Sequence, residues 1–308
     1  MSGSGGYFSG KYTAKRLWDM VRESEKGCRD DNFETLVSGE LTRVLAGFNS
    51  RDPDEIQSHL EAMLKAIAAD IDGTISMLFG GSVAKHTYVD GLSDVDAVII
   101  LNKSELEDKS PAEVIRYFAG QLGNRLPKTP IEPGNLAVTV TYQDAIIQLL
   151  PALRAGSGLR IPSAEGKFWS PIIRPDVFAR ILTDVNRTQA GKVVPTIKLA
   201  KNIIAGFPEQ QRLTGYHVES LAVKVFRGYS GLKTPKAMLT YFFEESSKHV
   251  RKPIGDSTGQ SFHVDDYLGA PNSLRRKIAA DALGRVSRRI RDADNAHSVD
   301  LWKEILEE

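Results

Sequence analysis

A single cysteine, Cys28, stands among 308 residues, so no internal disulfide framework is possible and a reducing compartment is expected. No apolar run approaches the roughly 18–20 residues that a membrane span needs. Residues 1–15 carry no apolar stretch of the kind a secretory signal requires, so a cytoplasmic protein is expected. Charge of one sign is also missing: 40 Lys and Arg stand against 39 Asp and Glu. That balance excludes nucleic-acid binding driven by bulk charge, while a local basic groove stays allowed. No Cys/His set has zinc spacing. The hydrophobic share, 41%, is that of an ordinary globular protein. The length suits one large or two ordinary domains.

The periodicity divides the chain. Residues 1–10 are Gly/Ser-rich and read as a flexible lead-in. Residues 11–70 read as helices that brace the rest. Leu17, Trp18 and Val21 suit one helix, Phe33, Leu36, Val37, Leu41, Val44 and Leu45 a second, and Ile56, Leu60, Met63, Leu64 and Ile67 a third. The period then changes to strands at 74–79 and 94–101, a helix over 111–126 opened by Ser110-Pro111, and a hairpin over 137–150. Pro, Gly and Ser cluster between 156 and 175, which closes a core domain at 71–175. Residues 176–308 read as helical. The spacing predicts an α/β (α+β) protein with two lobes and a cleft between them.

The chemistry is concentrated in residues 79–96. A strand ends in Gly80, Gly81 and Ser82, and Asp94 and Asp96 open the next strand. Glycines let the backbone approach a ligand closely, and a following helix N-terminus aims N–H groups at an anion. Residues i and i+2 of a strand share a face, about 6–7 Å apart. Two carboxylates beside a phosphate cradle suit a divalent cation, and hard oxygen donors suit Mg²⁺. Lys85 lies in the same loop; phosphate contact and a plain surface role are equally open for it.

Gly-Ser followed about a dozen residues on by Asp-x-Asp resembles the signature of DNA-polymerase-β-like nucleotidyltransferases. The resemblance implies that Gly81 and Ser82 hold a triphosphate and that Asp94 and Asp96 are catalytic ligands of Mg²⁺ or Mn²⁺. Residues 192–205 resemble the helix that carries a phosphate-binding lysine in oligoadenylate-synthase-like enzymes, with Lys198 at that position. Leu213-Thr214-Gly215-Tyr216-His217-Val218-Glu219 is similar to the Ser-Tyr-x-x-Glu element of that group, which makes Thr214 and Tyr216 candidate nucleotide contacts. Residues 254–259 and 264–268, followed by a long helix, are similar to its C-terminal segment. The chain thus resembles, over roughly 70–305, the bacterial relatives of oligoadenylate synthase and cyclic GMP-AMP synthase (CD-NTases). Those enzymes make cyclic or linear oligonucleotide signals in anti-phage defence. The resemblance implies a small mixed sheet in the N-lobe, a helical C-lobe, NTP or dNTP substrates, a downstream effector protein and no membrane contact.

Gln148 departs from this pattern. The family has a third aspartate in the form Asp-hydrophobic-hydrophobic-Pro, and the matching stretch is Gln148-Leu149-Leu150-Pro151. Glutamine offers a metal one neutral oxygen but no charge, and it is no general base. Asp144 lies four residues away, about 13 Å along an extended strand. Glu132 is placed by no pattern. Three readings stand open: an enzyme working with two acids, a nucleotide-binding pseudoenzyme that regulates a partner, and an enzyme inactivated at one position. A tailing enzyme acting on RNA ends is a further class. Gly215 stands where relatives often have Ser, which leaves two readings open: the hydroxyl contact to phosphate is missing, or Thr214 supplies it. Tyr216 suits nucleobase stacking or helix packing, and Lys198 suits phosphate or a snorkelling surface position. Arg275, Arg276, Lys277, Arg285, Arg288, Arg289 and Arg291 suit a nucleic-acid groove or a solvated helix face.

Overall fold

The computed structural model describes residues 30–48, 53–69, 74–79, 82, 85–89, 95–102, 104–143, 145–163 and 165–307. The Gly/Ser-rich start, the helix expected around Trp18, and Gly81, Asp94 and Asp144 lie outside them. No helix among the described residues is long and apolar enough to cross a membrane.

Two amphipathic helices open the described chain and serve different cores. α1 (Asp31–Gly47) starts at Asp30, whose carboxylate accepts from the N–H groups of Asn32 (3.0 Å) and Phe33 (3.2 Å). It buries Phe33, Val37 and Leu41, one per turn, in the core of the C-terminal half. α2 (Pro53–Ala68) buries Leu60, Met63 and Ile67 against the sheet. Periodicity shows that both helices have an apolar stripe, but it does not say which core each stripe enters.

The sheet has six strands: β1 (Thr74–Phe79), β2 (Val95–Asn102), β3 (Ile131–Pro133), β4 (Val138–Thr141), β5 (Ile146–Ala155) and β6 (Gly158–Arg160). The order is β1-β2-β5-β4-β3, with β6 on β5. β2 and β5 run parallel and the other pairs antiparallel, so the sheet is mixed as expected. The parallel crossover is made by α3 (Pro111–Arg125) and the β3–β4 hairpin. α3 starts at a reciprocal cap, in which Ser110 accepts from the Glu113 N–H and Glu113 from the Ser110 N–H.

One sheet face is dry. Val95, Ala97, Ile99, Val138, Val140, Ile147 and Leu149 meet α2 and α3 there. The alternation of β2 and β5 therefore turns Asp96 and Gln148 to the opposite face. β5 runs past Pro151 to Ala155 and turns back through Gly156 (φ 57°) into β6. Residues 158–160 thus extend the sheet within the stretch whose composition reads as a connection. Pro151 falls between the β4-paired and β6-paired stretches of β5, where that edge has no ladder to complete.

The C-terminal half is helical: α4 (Pro175–Thr188), α5 (Val193–Ala205), α6 (Gly215–Phe226), α7 (Pro235–His249), α8 (Leu274–Asn295) and α9 (Val299–Glu307). α5 and α6 are apolar on most sides and lie at its centre. α1 is fastened to this half by the buried Lys236 of α7, whose ammonium meets Glu34 at 2.5 Å and Asp294 at 2.9 Å. The same ammonium stands 4.6 Å from the centre of the Phe33 ring.

Arg276 departs from the reading of α8 as a basic face. It is 0% exposed. Its guanidinium donates to the carbonyls of Gly269 (2.9 Å), Val250 (3.0 Å) and Asp265 (3.2 Å) and to the Asp265 carboxylate (2.6 Å). A run of basic letters cannot reveal that one of them points inward. Arg275, Lys277, Arg285, Arg288 and Arg291 do remain exposed.

His217 joins this network. Its Nδ1 meets the Tyr267 hydroxyl at 2.8 Å and its Nε2 lies 3.5 Å from Asp265. Burial pushes the imidazole down to about 4; Asp265 pulls the other way and Arg276 adds to the depression. The sign follows. Below about pH 6.5 the unfolded chain binds a proton that the folded imidazole refuses until about pH 4. Stability should be full above pH 6.5 and fall by about 3 kcal/mol between there and pH 4 from this group. Urea unfolding at pH 7.5 and 4.5 checks it; an unchanged midpoint would refute the assignment of a neutral His217.

Candidate active site

Ser82 and the loop after it are anchored from within. The Thr87 N–H closes back on the Ser82 carbonyl at 2.9 Å, with His86 in the left-handed region (φ 58°). This is the hydrogen bond and the αL residue of a helix C-terminal cap. His86 points to solvent, while Ser82 and Thr87 are buried.

The same loop is tied to two helices of the C-terminal half. The Thr87 hydroxyl donates to Glu219 Oε1 at 2.5 Å. Lys201 Nζ donates to Glu219 Oε1 at 2.8 Å and to the Thr87 carbonyl at 3.1 Å. Lys85 donates to Glu219 Oε2. Glu219 is 1% exposed and Lys201 9%. Burial alone would raise the Glu219 carboxyl, but Lys201 and Lys85 together hold it below its ordinary range. Burial lowers Lys201 by more than Glu219 and Asp96 lift it. Lys198 lies one helical turn before Lys201, half-buried, and is lowered by burial and then by the Lys201 charge.

Asp96 and Gln148 are partners in the parallel β2–β5 register. Neighbouring strands lie about 4.8 Å apart, so the two side chains leave adjacent points of the same face. The row continues through Thr139 to Glu132. Glu132 thus shares the face of Gln148 but stands two strands away, about 10 Å, and three strands, about 14 Å, from Asp96. Ligand distances near 2 Å make that separation too great for one ion to touch both acids. The described donors at this point are one carboxylate and one amide oxygen. They are hard oxygen ligands of the type Mg²⁺ takes, and they leave most of its octahedron to substrate oxygens and water.

The remaining predicted residues meet at the start of α6. Thr214 is its N-cap and accepts from the His217 N–H at 3.3 Å. A Cβ on Gly215 would stand 3.5 Å from Lys201 Cε and Nζ, so a serine there would fit beside the ammonium. Tyr216 is half-buried and donates to Asp256 at 2.8 Å. Its ring meets Phe178 edge-on at 4.8 Å, and Lys85 Nζ lies 5.2 Å from its centre. Burial, then Asp256, raises the phenol well above its ordinary value. Asp256 also accepts from the N–H and hydroxyl of both Thr258 and Ser261, which closes the 256–261 loop against Tyr216. Tyr216 is thereby committed to helix and loop packing on at least one edge.

The sequence motifs missed Lys201, Thr87 and Asp256 as parts of this site. Lys201 lies in the same stretch as Lys198, and only burial distinguishes them.

Solved structures with this fold exist. E. coli MS115-1 CdnC, in a structure with ATP, superposes with a TM-score of 0.64 at 15% identity, covering 82% of this chain and 91% of that one. The Bradyrhizobium diazoefficiens CD-NTase CdnG, in complex with GTP, gives 0.64 at 12%, covering 90% and 99%. The chain has a CD-NTase fold. Vibrio cholerae DncV, a cyclic AMP-GMP synthase in complex with the linear intermediate 5′ pppA(3′,5′)pG, gives 0.62 at 12%, covering 96% and 90%. No protein-family model matches the sequence, and no curated protein matches it. At these identities the CD-NTase likeness concerns the fold, and what those proteins bind is theirs.

Proposed function

We propose that this chain is a Mg²⁺- or Mn²⁺-dependent nucleotidyltransferase of the anti-phage signalling type, slowed or silenced at Gln148. The reaction is attack of a 2′- or 3′-hydroxyl on the α-phosphate of an NTP or dNTP, with pyrophosphate leaving, to give a cyclic or linear oligonucleotide. The observation that carries the reading is the placement of Asp96 beside Gln148 on the sheet face opposite α2 and α3, near Lys201. Backbone around Gly81 and Ser82 would hold β- and γ-phosphates. Asp94 and Asp96 would hold the cation, which neutralises phosphate charge when bound. Lys198 and Lys201 would offset the charge that builds on the phosphates. Catalysis on this frame is positioning and charge neutralisation. Gln148 would accept or donate a hydrogen bond at the acceptor side but take no proton.

A second reading rests on Gln148 itself: a nucleotide- or oligonucleotide-binding protein without turnover that regulates an effector. The purified chain incubated with labelled NTPs and dNTPs and Mg²⁺ or Mn²⁺ separates the two, with products identified by mass. A primer-free oligonucleotide supports the first reading, and extension of an added RNA primer would redirect it to tailing. Asp96→Asn should abolish any such product and weaken magnesium-nucleotide binding by about tenfold or more, as loss of a charged ligand requires. Unchanged binding in titration calorimetry would remove Asp96 from the site.

A further inference from the structure

The cluster around Glu219 is larger than holding a loop requires. Two lysines, Lys85 and Lys201, bond the buried Glu219 carboxylate, and Lys198 stands one helical turn from Lys201. Thr87 alone would fasten the loop through its hydroxyl and carbonyl. Lys85 is the member nearest the phosphate loop. It leaves the same short loop as Ser82, its side chain is slightly more exposed than that of Lys201 (13% against 9%), and its ammonium stands over the rings of Phe178 and Tyr216 (5.4 and 5.2 Å). Its anion is Glu219 Oε2, while Oε1 serves Lys201 and Thr87. The two oxygens thus divide the work: one bonds the buried scaffold and the other the lysine of the phosphate loop.

We propose that Glu219 is a positioning residue whose carboxylate occupies Lys85 until the phosphates of an NTP compete for it. The inference rests on the nucleotide reading above and deepens it. A triphosphate carries several anionic oxygens against the single one that Glu219 offers, and charge-assisted bonds favour the denser anion. Lys201, held on the other oxygen, keeps Glu219 ionised and in place during the exchange. The device has two consequences of opposite sign. Without Glu219 charge, Lys85 and Lys201 lose their internal anion and the fold loses stability, but an external triphosphate gains them without competition. Without Lys85 charge, the triphosphate loses a partner.

The test uses the full chain, magnesium ATP, GTP, CTP and UTP, thermal unfolding and titration calorimetry. The nucleotide that shifts the native protein most is carried forward. Glu219→Gln keeps shape and removes charge. It should melt below the native protein without nucleotide, yet bind the nucleotide about tenfold more tightly and show a larger nucleotide-induced shift. Lys85→Met keeps a flexible apolar stem of similar length without the charge and should bind about tenfold more weakly. Affinity equal to or below native in a folded Glu219→Gln would overturn the exchange. Unchanged affinity in Lys85→Met would do the same, and it decides alone if Glu219→Gln does not fold. If no nucleotide shifts the native protein, the nucleotide reading itself falls and takes the exchange with it. A shift in the native protein that both variants reproduce sinks the exchange alone.

Discussion

A Gln148→Asp variant is expected to transfer nucleotides at least about a hundredfold faster than the native chain, the scale of one positioned acid–base group. Asp96 and position 148 are register partners on adjacent parallel strands. A carboxylate at 148 would therefore stand next to Asp96 on the sheet face opposite the one that packs against α2 and α3. It would add a charged ligand where the native side chain offers an amide, and a base where the native side chain has none. Two carboxylates this close repel, so the variant should melt below the native protein in EDTA. Millimolar Mg²⁺ should recover that loss and stabilise Gln148→Asp more than it stabilises the native chain. The thermal readout is independent of turnover. Product from the variant alone would identify a transferase frame switched off at one position. Product from both at similar rates would show that two acids suffice. A magnesium effect equal in both proteins would mean that position 148 does not face the cation.

The place of Gln148 was legible only through the motif, in which Pro151 marks the register. Strand alternation gives no help, because the residues of the same parity, Ile146 and Leu150 beside Gln148 and Val98 and Ile100 beside Asp96, are apolar. The helix over 111–125 was legible for a similarly local reason, because Ser110, Pro111 and Glu113 carry its start within four residues. The Glu219 cluster was not legible. Lys85 and Thr87 meet Glu219 across 134 and 132 residues, and no local pattern encodes such a meeting. Lys198 and Lys201 are one turn apart on one helix, so sequence spacing gives them equal standing until packing buries one. The division of α1 and α2 between two cores failed to show for the same reason. An apolar stripe states that a helix packs, and only the tertiary structure names its partner. Arg276 looked like the basic residues around it because burial of a charge is decided by partners outside its own helix, here Gly269, Asp265 and Val250 in the segments that precede α8.

Arg276→Met should cost about 3–5 kcal/mol of stability at pH 7.5, the range for breaking a buried ion pair at one end. Arg276 and Asp265 are both 0% exposed, and the guanidinium satisfies two further carbonyls at Val250 and Gly269. Methionine fills much of the volume but leaves Asp265 ionised with only the Ile254 N–H at 3.1 Å and His217 nearby. Asp265→Asn added to Arg276→Met should restore part of the loss, because the two sites share one network and cannot be additive. The pH dependence gives a sharper signature. Arg276 contributes to holding His217 down, whereas Asp265 lifts it. Without the guanidinium, His217 rises and can take a proton that neutralises Asp265. The destabilisation by Arg276→Met should then be smaller at pH 5 than at pH 7.5, opposite to the acid sensitivity of the native protein. Urea midpoints of the native and variant chains at both pH values measure it. An equal penalty at both would show that His217 does not respond to Asp265. The same network reaches the candidate site, since Tyr267, bonded to His217, accepts from the Thr214 N–H at 3.3 Å at the start of α6. Arg276→Met should therefore also weaken magnesium-nucleotide binding, although Arg276 itself is wholly buried.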